Sequence, residues 1–276
     1  MSDWEKKRVL VTVKAYPERS KKYGTSVCTA GITDEGEWIR LYPITLNSFI
    51  GQDKISKYYW IEVECRKDTK EKLQRKESHK VREQSIKILD TSLSRPKADW
   101  GGRSEVILPT LAGSMEELAE RFKEDKTSLG LIKPKEVLDF YTTQDFELVQ
   151  SNKEYIKTLT GELMPVTDEI PHMFKYKFTC EGCQPGKEHN IQCEDWELFE
   201  SYRAWGKYYH NDPEITWEKM REKYYTWMME KRDLYFMVGT ESQFGRWLII
   251  GVYYPPKPGE EDIDPAATTL DQFGGG

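Results

Sequence analysis

The sequence predicts an α+β fold in two parts, a small β-barrel at the N-terminus joined to a second module of strands and helices. Residues 1–110 contain short β-branched segments separated by turn residues, with no helical period between them. Residues 166–255 combine an alternating strand with two amphipathic helices and a cluster of cysteine and histidine. A chain of 276 residues is also long enough for two ordinary domains.

The first domain, residues 1–110, consists of strands that end at prolines or tight turns. The predicted strands are residues 9–16, 26–32, 37–42 and 58–65, with further β-prone pieces at residues 86–89 and 105–108. Pro17 and Pro43 end the first and third strands, and Asp34-Glu35-Gly36 forms a turn before the third. Several short strands joined by turns favour a closed or nearly closed barrel.

A connector is predicted at residues 111–165, with one helix and short strands. Ser114 begins a capping box that ends at Glu117, and Met115, Leu118 and Phe122 follow at helical spacing. An apolar strand at residues 128–132 is broken by Pro134.

The second domain, residues 166–255, is predicted to start with a strand at residues 174–180. A helix follows from Glu194, and Asp212-Pro213 provides a cap and a first-turn proline for another. Residues 234–238 and 247–254 then form a hairpin. Residues 256–276 are predicted to be a disordered acidic tail, since they are rich in proline, glycine and small residues.

Four potential metal ligands lie within fourteen residues: Cys180, Cys183, His189 and Cys193. Three thiolates and one imidazole suit a tetrahedral Zn²⁺ ion, and a shell with four protein ligands is typical of a structural metal. The spacing C-x2-C-x5-H-x3-C resembles that of a zinc knuckle, C-x2-C-x4-H-x4-C, with the histidine one residue later. The resemblance implies metal binding. The alternatives are an iron–sulfur cluster or four reduced residues that bind nothing.

Net charge is unevenly distributed along the chain. Residues 1–97 carry 21 Lys and Arg against 14 Asp and Glu, whereas residues 98–276 carry 20 against 33, and the whole chain has a formal charge of −6. A basic first part predicts contact with an anion, most often nucleic acid or a nucleotide. The alternative is that the two halves attract each other or a protein partner.

Alternation along the strands predicts a binding face of cations and aromatic rings. If Val9, Val11 and Val13 point into the barrel, Lys14 and Tyr16 point outward. If Ile39 and Leu41 point into the barrel, the side chains of Trp38, Arg40 and Tyr42 lie together on the outer face. Rings can stack on bases while cations neutralise phosphates. Residues 66–87 add nine Lys and Arg, which predicts a solvated loop able to clamp a backbone. The predicted binding residues are Lys14, Tyr16, Trp38, Arg40, Tyr42, Arg66, Arg75, Lys76, Lys80 and Arg82. The alternative for Trp38 and Tyr42 is packing between domains.

These patterns predict a nucleic-acid or nucleotide-binding protein with a structural zinc site. Two other functions stay open: a metal-dependent nucleic-acid-processing hydrolase built on Asp53, Glu62 and Glu64, and a protein-interaction adaptor. The sequence lacks a P-loop, a dinucleotide-binding turn, a serine-hydrolase elbow and a zincin helix.

Cellular context follows from the apolar segments and cysteines. No apolar run is long enough to span a bilayer, and the first residues are not those of a signal peptide, so a cytoplasmic location without membrane partners is expected. Cys28 and Cys65 lie in apolar strand patterns, which favours buried thiols over a disulfide.

Overall fold

The computed structural model of the chain describes residues 3–16, 18–20, 24–51, 54–94, 99–144, 155–157, 163–165, 170 and 172–261. The strands are β1 (Glu5–Lys14), β2 (Glu18–Ser20), β3 (Gly24–Ser26), β4 (Thr29–Thr33), β5 (Trp38–Tyr42), β6 (Trp60–Lys67), β7 (Ser78–Val81), β8 (Lys87–Asp90), β9 (Leu111–Ala112), β10 (Leu129–Ile132), β11 (Pro134–Gln144), β12 (Tyr155–Lys157), β13 (Leu163–Pro165), β14 (His172–Cys180), β15 (Glu188–Cys193), β16 (Tyr235–Thr240) and β17 (Trp247–Tyr253). The helices are α1 (Trp100–Ile107), α2 (Met115–Asp125), α3 (Trp196–Tyr208), α4 (Pro213–Arg221) and α5 (Met228–Lys231), with a π-helical segment, Glu222–Trp227, between the last two. Short 3-10 helices lie at Leu46–Phe49, Glu83–Ser85, Ser92–Ser94 and Leu108–Thr110.

The first domain is a closed barrel of five strands in the order β1-β4-β5-β7-β6, with β6 pairing back to β1. Only the β5–β7 pair is parallel among these five pairings, and β8 adds to β6 outside the barrel. The interior holds alternate residues of each strand, including Val9, Val11, Ile39, Leu41 and Ile61, as period-2 alternation requires. The predicted N-terminal β-barrel is confirmed.

A β-bulge in β1 changes which side chains share a face. Val11 pairs with Gly31 but Val13 pairs with Ala30, so Thr12 is an extra residue in the ladder. Val13 therefore joins Leu10 on the outer surface of the barrel instead of Val9 and Val11 inside it. The prediction that Val9, Val11 and Val13 point the same way is wrong.

The second domain is built on a seven-stranded sheet in the order β11-β14-β15-β17-β16-β10-β9. Its two faces are both buried, as alternation along β16 shows: Tyr235 and Met237 pack against the barrel, whereas Phe236 and Val238 pack on the opposite side. α3 and α4 cover that opposite side. The strands β9, β10 and β11, from the segment predicted as a connector, belong to this sheet.

Helix starts follow the predicted caps. Ser114 Oγ accepts a hydrogen bond from the backbone N–H of Glu117 at 3.0 Å, and Asp212 caps α4 with Pro213 in its first turn. Both predicted starts are confirmed. Residues 105–108, predicted as β-prone, instead lie in α1 and the turn after it, because Asp99 caps a helix by accepting from the N–H of Gly102.

The chain after β17 is described only to residue 261, so most of the predicted acidic tail lies outside the described residues. Its first part is anchored, since Lys257 donates its backbone N–H to Lys231 and Pro256 bridges to Arg232. Among the described helices, none combines the length and the apolar character that a membrane crossing needs.

Candidate ligand cleft and metal group

A cavity of about 480 Å³ lies between the barrel and the second sheet. The barrel contributes the ends of β5 and β7 and the loop after β6, and the sheet contributes β15 and the loop joining β16 to β17. The cavity lining includes Tyr16, Cys28, Arg40, Tyr42, Asp68, Glu71, Arg75, Ser78, His79, Thr240, Glu241 and Arg246. The volume is within the range of small-molecule sites, about 300–1,000 Å³.

Arg40 forms the floor of this cleft. Alternation along β5 directs it out of the barrel, where the second sheet covers it and leaves only 3% exposed. Its Nη1 donates to Cys28 Sγ at 3.1 Å, and its Nη2 donates to the carbonyl oxygen of Ser128 at 3.3 Å. Within the described part of the chain, no carboxylate oxygen lies within the 4.0 Å that defines an ion pair with this guanidinium. Because a buried charge is costly unless it is paired, Arg40 favours an anionic or strongly polar partner.

Arg75 is a second buried guanidinium beside the first. Its Nε lies 2.8 Å from Glu71 Oε1, and its Nη1 donates to the carbonyl oxygen of Thr240 at 2.6 Å. Burial and the neighbouring Arg40 lower the pKa of Arg75, whereas Glu71 opposes that shift. The two cations thus repel each other at the cleft floor, and Glu71 is the carboxylate paired with Arg75.

A network of buried hydrogen bonds joins the barrel to the second domain next to the cleft. Glu77, only 6% exposed, accepts from the backbone N–H and the hydroxyl of Ser128 at 3.0 and 2.6 Å. Its carbonyl oxygen accepts the backbone N–H of Arg40 at 2.9 Å. Sequence reasoning missed both residues, because Glu77 lies in a mixed charge run and Ser128 in an apolar segment, and neither pattern distinguishes them.

Five residues that line the cleft have a buried polar side-chain atom without a hydrogen-bond partner. Two of these atoms, Glu71 Oε1 and Arg75 Nε, form the ion pair described above, and the other three are Arg40 Nε, Ser78 Oγ and Thr240 Oγ1. Ser78 is the β7 residue directly opposite Arg40, so two of these atoms belong to neighbouring positions. Buried polar groups in folded proteins are almost always satisfied by protein, water or ligand. The residues around the cleft therefore retain hydrogen-bonding capacity that no described protein group uses.

Aromatic rings form part of the wall. Tyr16 stacks on Phe199 at a centroid distance of 4.1 Å, and its hydroxyl accepts a hydrogen bond from Arg203 Nη2. Tyr42 at the end of β5 also lines the cavity. Packing against α3 thus holds the Tyr16 ring in place in the wall of the cleft.

The metal-ligand candidates form a separate group at the hairpin between β14 and β15. Ligand atoms of Cys180, Cys183 and His189 all lie within 4.8 Å of one another, and Cys183 Sγ is 3.2 Å from His189 Nε2. This group could hold a metal ion. The hairpin loop packs on the start of α2, where Glu116 accepts the backbone N–H of Gln184 at 3.0 Å.

Cys193, the fourth predicted ligand, lies apart from this group. It follows His189 by four residues on β15, which separates the two by about 13 Å along an extended strand. Its side chain is fully buried in the core under α3, and burial raises the pKa of its thiol well above the ordinary value. The described residues therefore bring together three of the four predicted ligands, and the predicted closed Cys3His shell is not formed.

Family comparisons divide the chain at the junction between barrel and sheet. Residues 5–109 match a family described as "Domain of unknown function (DUF8758)", and residues 111–272 match one described as "Domain of unknown function (DUF8757)". The chain belongs to the DUF8757 family. A search of the curated proteins finds no match to the chain. The DUF8758 segment supplies Arg40 and Arg75, and the DUF8757 segment supplies Thr240 and the metal group, so the cleft needs both.

Two of the other predicted binding residues, Lys14 and Trp38, pack against the second domain. Lys14 sits over the Trp196 ring at 4.8 Å, and burial lowers its pKa. Trp38 packs in the core between the barrel and the DUF8757 sheet, as the alternative interpretation expects.

The remaining predicted cations lie on the outer surface of the barrel. Arg66 and Arg82 both stack on Trp4, at 5.0 and 4.4 Å from its ring. Lys76 pairs with Asp125 at 2.6 Å and Lys80 with Asp68 at 3.3 Å. Of the ten predicted residues, the structure brings Tyr16, Arg40, Tyr42 and Arg75 together in the cleft.

Two of the three carboxylates suggested for a hydrolase form ion pairs. Glu62 pairs with Lys6 at 3.0 Å, and Glu64 pairs with Arg82 at 2.7 Å. Asp53 lies outside the described residues.

Proposed function

We propose that the chain binds a nucleotide unit, either free or at an exposed position of a nucleic acid, in the cleft between its two domains. The phosphate would contact Arg40 and Arg75, and the base would lie against the rings of Tyr16 and Tyr42. The observation that carries the proposal is Arg40: a guanidinium 3% exposed, beside a cavity of about 480 Å³, whose hydrogen-bond partners are a thiol and a carbonyl oxygen.

Electrostatics support an anionic group at the cleft floor. Three of the four acidic residues that line the cleft contact cations, since Asp68 contacts Lys80, Glu71 contacts Arg75, and Glu241 lies 3.8 Å from Arg246. The fourth, Glu194, accepts a hydrogen bond from the side-chain amide of Gln192. A phosphate between Arg40 and Arg75 would reduce their mutual repulsion and accept several charge-assisted hydrogen bonds. The enclosed volume suits one nucleotide better than an extended strand.

We further propose that Cys180, Cys183 and His189 hold Zn²⁺ in a structural role, with the fourth position of the tetrahedron left to a ligand other than Cys193. Two thiolates and an imidazole are borderline-soft ligands that zinc favours. The group lies at a hairpin turn that packs on α2, where a metal would fix the loop between β14 and β15.

The test of the proposed function is a titration of the full chain with mononucleotides and with the matching nucleosides, followed by calorimetry. We expect the nucleosides, which lack phosphate, to bind more weakly. Arg40→Gln and Arg75→Gln should each weaken nucleotide binding about tenfold or more, since a hydrogen bond to a charged group contributes about 1.5–3 kcal/mol.

Arg8→Gln is the matched control, because Arg8 is exposed on β1 and pairs only loosely with Asp34 at 3.7 Å. Thermal melts check that each variant is folded. If both cleft variants bind nucleotides as tightly as Arg8→Gln, the cleft is not the site. If binding to labelled oligonucleotides depends instead on Arg66 and Arg82, the outer barrel surface is the site, and an absence of any nucleotide binding favours the adaptor function.

A further inference from the structure

We propose that Cys28 is a peroxide-reactive cysteine of the cleft, and that its oxidation weakens binding at the neighbouring guanidiniums. The second half of this inference rests on the proposed function. Four observations carry it: the position of Cys28 in the cleft, its contact with Arg40, the unpartnered polar atoms around it, and its exposure relative to the other cysteines.

Cys28 is the most accessible cysteine of the chain. It is partly exposed, whereas Cys65, Cys180, Cys183 and Cys193 are buried, and none of these five described cysteines forms a disulfide. Small oxidants reach the sulfur through the cavity that Cys28 lines. The expectation that Cys28 is a buried apolar filler therefore does not describe it.

Cationic groups lie beside the Cys28 sulfur. Arg40 Nη1 donates to Cys28 Sγ at 3.1 Å, and the sulfur also interacts electrostatically with Arg75. The thiolate is the nucleophilic form of cysteine, and adjacent guanidiniums stabilise it. A Cys28 thiolate would also supply the negative partner that buried Arg40 otherwise lacks among the described residues.

The reaction needs only hydrogen peroxide. The Cys28 sulfur attacks one peroxide oxygen, an S–O bond forms and the O–O bond breaks, and the leaving hydroxide takes a proton to become water. Cys28 is oxidised to a sulfenic acid and the peroxide is reduced. The new hydroxyl would lie beside the Arg40 guanidinium, whose hydrogen-bonding capacity a phosphate would otherwise use. Since the other cysteines are buried, an external thiol would reverse the reaction.

The experiment treats the full chain with hydrogen peroxide in the presence of dimedone, which traps sulfenic acids, and maps the adducts by peptide mass spectrometry. Cys28 should be labelled well before Cys65, the matched barrel control, because burial raises the pKa of Cys65 to about 11. Arg40→Gln should slow labelling of Cys28 severalfold, and Arg8→Gln should not. Equal labelling of Cys28 and Cys65, or an unchanged rate in Arg40→Gln, overturns the proposal.

A second measurement follows mononucleotide binding before and after peroxide treatment without dimedone. Wild-type affinity should fall and return after dithiothreitol, whereas the affinity of Cys28→Ser, whatever its untreated value, should be the same before and after peroxide. A loss of affinity in Cys28→Ser equal to that of the wild type contradicts the switch. If the untreated protein binds no mononucleotide while Cys28 is still labelled selectively, the proposed function fails and the reactive thiol stands.

Discussion

Lys57 of the barrel and Asp195 of the second domain form a buried ion pair, with Nζ 2.8 Å from Oδ2 and both side chains 3% exposed. Burial alone would lower the pKa of Lys57, but Asp195 and Glu197 raise it above the ordinary value. Asp195 also caps α3 and accepts the backbone N–H of Val252 at 2.7 Å. One carboxylate thus joins the barrel, a helix start and the second sheet.

Removal of the Lys57 charge should therefore destabilise the whole chain. Lys57→Met leaves Asp195 buried without its cation, and we expect a loss of about 3–5 kcal/mol in the free energy of unfolding, measured by urea denaturation. The control is Lys6→Met, where an exposed ion pair with Glu62 is lost and the change should stay below about 1 kcal/mol. Similar losses in the two variants would show that the buried pair has no special weight.

Gly31 on β4 permits the close approach of β1. An added Cβ there would lie 2.2 Å from the backbone oxygen of Leu10, which cannot move without disturbing the ladder. Gly31→Ala should cost about 1–3 kcal/mol or more. Gly206→Ala on α3 is the control, since its Cβ meets nothing closer than 3.7 Å and alanine favours a helix. Thermal melts that rank the two variants equally would contradict the steric argument.

The metal group predicts a specific pattern of metal content. Purified wild type should carry about one metal ion per chain by elemental analysis, as expected for a single site. Cys183→Ser and His189→Asn should lose that ion, whereas Cys193→Ser should keep it, because Cys193 lies apart from the group. Loss of the ion from Cys193→Ser would restore the four-ligand interpretation.

His79 predicts a dependence of stability on pH. Burial lowers its pKa, and Lys67 and Lys7 lower it further, although the carbonyl of Glu77 opposes the shift. Below the unfolded pKa of about 6.5 the unfolded chain takes up the proton more readily, so the His79 contribution to stability is lost as pH falls. The difference in unfolding free energy between wild type and His79→Gln should therefore shrink from pH 7.5 to 5.5. A difference that stays constant or widens would show that His79 does not contribute in this way.

The barrel could be predicted from the sequence because its signals are local. Alternation in β5 and β6 and the turn before β5 are visible in the sequence and appear in the structure. The bulge at Thr12 has no comparable signal, since Val11, Thr12 and Val13 all favour strands. Its effect on Val13 emerges only when β1 is paired with β4.

The cleft and the metal group show more clearly what local sequence patterns cannot predict. Sequence spacing placed four ligands close together along the chain, yet an extended strand carries Cys193 away from His189. Alternation directed Arg40 away from the barrel interior, but it could not show that a second sheet would cover that face. Both outcomes depend on contacts between segments far apart in sequence.

The apolar outer face of the barrel bears on whether the two segments of the chain can be encoded separately. Leu10, Val13, Ala30 and Ile32 are covered by the second sheet. If the DUF8758 segment were produced by itself, this apolar surface would be exposed to water and would promote self-association. Recombination that separates the segments near residue 110 is therefore expected to yield fragments that aggregate and are degraded.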